Sequence, residues 1–258
     1  MLTYPQSIGI VLLSVALALG VLRLLNCRLE ESTRKRANSV NGWQLSILGT
    51  LYAVALGFML SDAWLAYQTA VADVRAEASA VRMLSRTVGL TPAACASDLQ
   101  AKSLEYVAAV IEKEWPAMDA HRLDDVGQPI MRSMWATLGS CDTREGFSAR
   151  ENTIHALATL QSRRDARLQD FNSHLPFVMW AVLLFGGFIV IASSCLLCNE
   201  KQWVHCFHVV SLTVLIVVTL LAIADLDRPF DGATHVDATA FQAVQRDIGA
   251  VPTEQVAK

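Results

Sequence analysis

Apolar residues run without an Asp, Glu, Lys or Arg through four stretches of the chain, residues 1–22, 37–61, 171–199 and 202–224. Each reaches the roughly 20 residues an α-helix needs to cross about 30 Å of hydrocarbon. Four transmembrane helices are therefore predicted, paired into hairpins over 1–62 and 174–226. A long segment, 63–173, separates the hairpins, and a soluble tail, 227–258, follows them. The first positive charge, Arg23, comes after the first window and not before it, so this window is expected to stay as a helix and not to be cleaved as a secretory signal.

The second window does not end where its apolar run ends. The stretch "LYAVALGFMLSDAWLAYQTA" passes Asp62 and continues with Tyr67, Val71, Val74, Ala78 and Val81 at alternating spacings of four and three, an a/d seam with no Gly or Pro before Gly89 and Pro92. Residues 43–88 are thus predicted as one rod of about 69 Å. A helix that leaves the bilayer with an apolar stripe must bury it against another helix, from its own chain or from another subunit. Candidate partners follow. Leu104, Ala108, Ile111 and Trp115 share one face, Met131, Met134, Trp135 and Leu138 another, and Ile154, Leu157, Leu160, Leu168 and Phe171 lead toward the third span across Pro176. No segment alternates as a strand does. The predicted fold class is an all-α membrane protein, four transmembrane helices with an extramembrane helical bundle inserted between helices 2 and 3. The tail contributes one amphipathic helix around Ala238–Ile248.

Composition supports this picture, with 53% hydrophobic and 17% charged residues and a mean hydropathy of +0.36. The middle segment carries 12 Lys/Arg against 14 Asp/Glu, a balance that argues against nucleic acid. Arg28, Arg34, Lys35, Arg36 and Lys201 lie in the two short loops, which places those loops in the cytoplasm and the middle segment outside. Cys95 and Cys141 are the two cysteines of the middle segment. They suit one disulfide in an oxidising compartment, or two unpaired buried thiols.

Within the second span Gly49, Ala53, Gly57 and Ser61 recur every fourth residue, a small-residue row that lets helices approach closely in lipid, inside one subunit or between several. The opposite face bears Ile47, Leu51, Phe58 and Asp62. Lining a pore, it would supply apolar constrictions and a carboxylate ring; against lipid or protein it is a packing face. At the end of the fourth span, Asp225, Asp227 and Arg228 arrive at the same border as Asp62, and an interfacial clamp is expected there, with Arg228 pairing Asp62 or Asp225. Cys195, Cys198, His205, Cys206 and His208 have spacings that a zinc site would accept, yet the cysteines sit on an apolar helix where Cys is a common small hydrophobe. No metal and no cofactor is expected. His121, His155 and His174 are isolated, and no phosphate loop, nucleophile elbow or zinc-protease motif occurs, so the chain is not read as an enzyme.

The motif "LYAVALGFMLSDAW", Glu77-Ala78 on the same helix, and "LDRPFDG" after the fourth span resemble the bestrophin-like family of unknown function. That resemblance covers most of the chain in layout and implies a likeness to bestrophins, pentameric ion channels whose second-span helices line the pore and extend into a helical domain. It places Asp62 and Glu77 on the pore-forming helix and makes Asp227, Arg228, Pro229 and Phe230 a brace at the mouth. The Asn-Pro-Pro-Gly turn, the aromatic triplet of the second span and the acidic calcium clasp are missing, so calcium activation and anion selectivity do not transfer. The expected protein is a homo-oligomeric channel for small ions in a bacterial inner membrane, its bundle periplasmic. The competing expectation is a non-conducting scaffold or sensor that binds an envelope protein through the bundle.

Overall fold

The computed structural model describes residues 4–28, 31–89, 93–141, 147–197 and 201–249, with the backbone alone described at 31–37, 93–94 and 147. Among the described residues every regular element is helical: α1 (Tyr4–Arg28), α2 (Glu31–Val88), α3 (Ala93–Ala109), a π-helical turn (Val110–Glu114), α4 (Trp115–Asp119), α5 (Gly127–Ser140), α6 (Phe147–Asn172), α7 (Phe177–Leu196), α8 (Gln202–Leu226) and α9 (Thr239–Gly249). The chain divides into two compact units, Met1–Ala66 with His174–Arg228, and Tyr67–Ser173 with Pro229–Lys258.

The helix expected over 43–88 starts earlier, at Glu31, and runs through Asp62 and Trp64 without interruption. No proline lies between Glu31 and Trp43, and a lone Gly42 costs a helix only about 1 kcal/mol. The expected run of α6 straight into the third span is broken instead. Pro176 disfavours helical backbone at the residue before it, and Pro176 itself is the N-cap of α7 with φ −56° and ψ 144°. The break is held by Asp227, whose Oδ1 accepts the Leu175 N–H at 2.8 Å and whose carbonyl accepts from His174 Nδ1 at 3.1 Å.

In the first unit, four helices are long and apolar enough to span a membrane, those containing α1, the start of α2, α7 and α8. Ala18 and Leu22 of α1 pack with Cys195 and Val209, and Tyr52, Leu56 and Ala63 of α2 pack with Leu183, Val190, Ile216 and Ile223. Close approach is what holds helices together in lipid. Tyr52 lays its ring over Gly186 and Gly187, and its hydroxyl donates to the Leu183 carbonyl at 2.8 Å.

The second unit is a bundle of the later part of α2 with α3, α4, α5, α6 and α9, closed by one apolar core. Cys95, near the start of α3, is joined to Cys141 at the end of α5 by a disulfide with Cα atoms 6.1 Å apart. Phe230, Val236, Phe241, Val244 and Ile248 are buried in the same core. Residues 229–249, expected in a separate soluble tail, are thus part of the bundle; residues 250–258 lie outside the described residues. Trp115 rings meet Phe230 and Phe241 edge-on and tilted, and its indole N–H donates to the Val236 carbonyl at 3.3 Å.

At the centre of this core sit charges. Arg164 and Arg167 of α6 are fully buried, as are Glu77 of α2 and Tyr106 of α3, and Glu114 is 1% exposed. Arg164 grips both Glu114 oxygens at 2.8 Å and reaches Asp125 at 2.5 Å. Arg167 donates to Glu77 at 2.6 Å, to Glu114 at 2.8 Å and to the Met118 sulfur at 3.1 Å, with its guanidinium 5.6 Å from the Trp115 ring. The Tyr106 hydroxyl donates to Glu77. Burial pushes the Tyr106 phenol well above its usual range, and the Glu77 charge pushes it the same way. For Glu114, burial pulls upward but hydrogen bonds from Arg164 and the charge of Arg167 outweigh it, leaving the carboxyl below its ordinary range.

Along α3 and the π-helical turn the fully buried positions Leu99, Ser103, Tyr106, Val107 and Val110 lead on to Glu114, which faces inward while Lys113 is exposed. The face expected from Leu104, Ala108, Ile111 and Trp115 lies beside them and is only partly buried. Gly127 completes the pocket. A Cβ there would lie 2.7 Å from Arg164 and 2.8 Å from Glu114, whose Oε1 accepts the Gly127 N–H.

Two predictions arise here. Gly186→Ala sets a Cβ 2.8 Å from two Tyr52 ring atoms, and a cost of about 1–3 kcal/mol is expected as a lowered melting temperature of the detergent-purified protein. Glu114→Gln removes the charge two buried arginines share, and a loss of about 3–5 kcal/mol is expected, against little change for Asp247→Asn at the exposed ion pair with Arg82. Because the Glu114 carboxyl is depressed in the folded state, its contribution is whole at neutral pH and disappears as pH falls through the acid range.

Candidate functional site

The candidate site is the membrane-spanning part of α2. At about 100° per residue its side chains divide into three faces. Tyr52, Leu56 and Ala63 form one, buried against α7 and α8 at 2–8% exposure. About a third of a turn away lie Gly49, Ala53, Gly57 and Ser61, and a Cβ built on Gly49 or Gly57 meets nothing within 4 Å. Ala53, Gly57 and Ser61 of the small-residue row are exposed. The third face carries Ile47, Leu51, Phe58 and Asp62, all exposed, Phe58 at 68%. Among the described residues the first of the three faces is the buried one.

Trp43 and Trp203, exposed at about 70%, mark the starts of the α2 span and of α8, and Trp64 and Phe177 mark the opposite ends of the α2 span and α7. Aromatic residues at both borders are the pattern of helices crossing a bilayer. Asp62 falls at the Trp64 border.

Glu77, grouped with the pore-lining residues at the outset, faces the interior of its own bundle, fully buried between Arg167 and Tyr106. A carboxylate enclosed in this way cannot line a solvent path, and Glu77 belongs to the ion network. The residues of the expected clamp separate. Asp225 lies at the end of α8, Asp227 ties the 174–175 segment to that end, and Arg228 follows in an exposed position. Pro229 and Phe230 are buried in the second unit, where the Pro229 carbonyl accepts the Val236 N–H at 2.8 Å.

Among the described residues no group of three His, Cys, Asp or Glu side chains is placed to hold a metal, and Cys198 lies outside them. His205 Nε2 donates to the Ser194 carbonyl at 3.0 Å, and the buried Cys195 thiol faces the Ala18 carbonyl at 3.9 Å. His121 takes a positive φ of 54° and contacts the buried Asp231 at 3.0 Å.

Arg164, Arg167, Tyr106, Glu114 and Asp125 were not singled out from the sequence. A signal exists, however. Thr153, Leu157, Leu160, Arg164, Arg167 and Phe171 follow one seam of four-three spacing, as do Ala70, Val74, Glu77, Val81, Leu84 and Val88, and all are buried. Opposite charges occupy core positions of both seams.

No curated protein matches the sequence. Among solved structures, a bacterial bestrophin homologue from Klebsiella pneumoniae superposes with a TM-score of 0.70 at 14% identity, over 97% of this chain and 98% of that one. A mutant form of a Klebsiella pneumoniae bestrophin homologue gives 0.72 at 14% identity, over 98% of each chain. A protein described as a membrane protein gives 0.71 at 13%, over 98% of this chain and 99% of that one. Identities this low speak for a shared fold alone. The sequence itself matches the family model of the Bestrophin-like domain over residues 12–241. This all-helical membrane protein belongs to the Bestrophin-like domain family.

Proposed function

We infer that the protein is an oligomeric bestrophin-like channel for small ions, with the spanning part of α2 surrounding the axis. One observation carries this reading: among the described residues two of the three faces of that helix are not the buried one, one of small residues and one of bulky apolar residues ending in Asp62. In a ring of copies the small row of Gly49, Ala53, Gly57 and Ser61 allows neighbouring helices to approach closely. Ile47, Leu51 and Phe58 then form apolar constrictions that gate by dewetting, and a ring of Asp62 carboxylates concentrates cations at the mouth. Asp227 braces the end of the fourth span through the Leu175 N–H. The partner is the chain itself, five copies by family likeness, and the reading calls for neither cofactor nor catalysis. The location is a bacterial inner membrane. The basic residues Arg28, Arg34, Lys35 and Arg36 between the first two spans and Lys201 between the last two favour a periplasmic bundle, and the disulfide Cys95–Cys141 suits that oxidising side.

A scaffold that binds an envelope protein through the bundle is the second reading. It is favoured by a groove along α5 and α6, lined by Trp135, Gln161, Asp165 and Gln169, outside the closed core. The mass of the detergent complex separates the two, since a monomer or dimer cannot enclose a pore with one helix per chain. For the channel, purified protein in liposomes passes ions. Asp62→Asn lowers cation flux roughly fivefold, the effect of about 1 kcal/mol at the mouth, and Phe58→Ala raises flux. Flux no greater than that of empty liposomes, from protein that still runs as a ring, ends the channel reading.

A further inference from the structure

The two ends of the membrane-spanning unit differ in charge. Ala18 and Leu22 of α1 pack with Cys195, near the end of α7, and with Val209, near the start of α8. The Cys195 thiol lies 3.9 Å from the Ala18 carbonyl, and a Cβ on Gly42 of α2 would lie 4.0 Å from Leu197. The end of α1, the early part of α2, the end of α7 and the start of α8 therefore meet at one border. Segments 23–42 and 197–203 hold six Lys/Arg against three Glu. At the other border Ala63 of α2 and Ile223 of α8 share a buried cluster. There Asp62, Asp225 and Asp227 stand against Arg228.

At the first border Arg23 and Arg28 of α1 and Lys201 before α8 are exposed. Arg23 lies about 8 Å short of the end of α1, beside Leu24, which is 58% exposed. A long basic side chain at that depth keeps its stem on apolar surface and carries its charge to the headgroup level. Lys201 is the N-cap of α8 and makes no side-chain cap, and no acidic residue occupies the first turn of that helix. The positive end of α8 is thus left open to an anion from outside the chain. Trp43 and Trp203, both exposed, mark the level of the headgroups. We propose that this border is a binding surface for anionic phospholipid, with Arg23, Arg28 and Lys201 set against lipid phosphates and Trp203 at the boundary between headgroup and acyl chain. A lipid fits better than a soluble anion because the cations adjoin exposed Leu24 and Phe207, apolar surface that acyl chains cover. Zwitterionic lipid has the same phosphate beside its own ammonium, so net headgroup charge decides the preference, by roughly fivefold for each nearby cation. The surface requires neither a ring of copies nor conduction and stands apart from the channel reading.

The test presents full-length protein in neutral detergent with equimolar phosphatidylglycerol and phosphatidylcholine of matched acyl chains, and bound lipid is counted by native mass spectrometry. Phosphatidylglycerol is expected to be retained at least about tenfold over phosphatidylcholine, and Arg23→Gln and Lys201→Gln each to lower that ratio about fivefold. Raising salt from about 0.05 to 0.5 M weakens the preference. Arg132→Gln, exposed on α5 in the other unit, leaves it unchanged. Should Arg23→Gln fail to fold, Lys201→Gln and the wild-type salt dependence decide. A drop in either variant supports the surface. Equal retention of the two lipids, a ratio unmoved in both variants, or displacement of the lipid by inorganic phosphate overturns it.

Discussion

Burying two guanidinium groups sets the terms for the helical bundle. Arg164 and Arg167 have no exposure, and an arginine does not give up its proton to escape a dry site. Desolvation of that size is tolerable only with carboxylates in good geometry and with the remaining donors occupied. Much of the local structure answers this demand: Glu114 buried on the π turn, the Gly127 position that a side chain would fill, the Tyr106 phenol on Glu77 and the Met118 sulfur on Arg167, while Arg164 Nε is left without a partner. Glu77, Glu114, Arg164 and Arg167 balance in charge, so the core holds four ions without a net field. Such a network specifies one register of α2 against α6, because a slip of one residue would strand a buried charge.

How far the sequence was legible follows from the same physics. The four spans were readable because hydrocarbon accepts only long uncharged helices, and composition enforces that directly. The long α2 was readable because nothing in it breaks a helix. The ion network was not, because Arg and Glu are surface residues by default and "QSRRDARLQD" has the look of a solvated turn of helix. It becomes visible only when the four-three register of α6 is followed through Leu157 and Leu160 and found to land on Arg164 and Arg167. The face of α3 was half legible: Leu104, Ala108, Ile111 and Trp115 are partly buried, and the seam through Leu99, Ser103, Tyr106 and Val110 beside them is the one that closes the core. The break before α7 turned on Pro176, whose effect on Leu175 competes with helix continuation and prevails because Asp227 supplies the partner that Leu175 N–H needs.

Lipid changes what an unburied face means. In water, exposed Leu51 and Phe58 would be an aggregation hazard; in a bilayer they are ordinary. The small row on the same helix is less easily dismissed, because glycine at Gly49 and Gly57 weakens a helix by roughly 1 kcal/mol each and gains nothing from lipid contact. Close approach of another helix recovers that cost, and among the described residues nothing lies within 4 Å of a Cβ built on either glycine. This asymmetry, more than hydrophobicity, is what directs attention to neighbouring copies.

Three acidic residues of α2, Asp62, Asp73 and Glu77, show how little identity alone decides. Asp62 is exposed at the border of the span, Asp73 is mostly covered and pairs with Arg163, and Glu77 is enclosed by Arg167 and Tyr106. Spacing along the helix assigns them, since Glu77 falls on the buried seam, Asp73 beside it and Asp62 away from it. Glu77 meets Arg167 and Tyr106 in the interior, Asp73 meets Arg163 nearer the surface, and Asp62 faces outward at the border of the span. One helix thus carries an exposed, a mostly covered and a fully buried carboxylate in succession, and their place around the helix decides which is which.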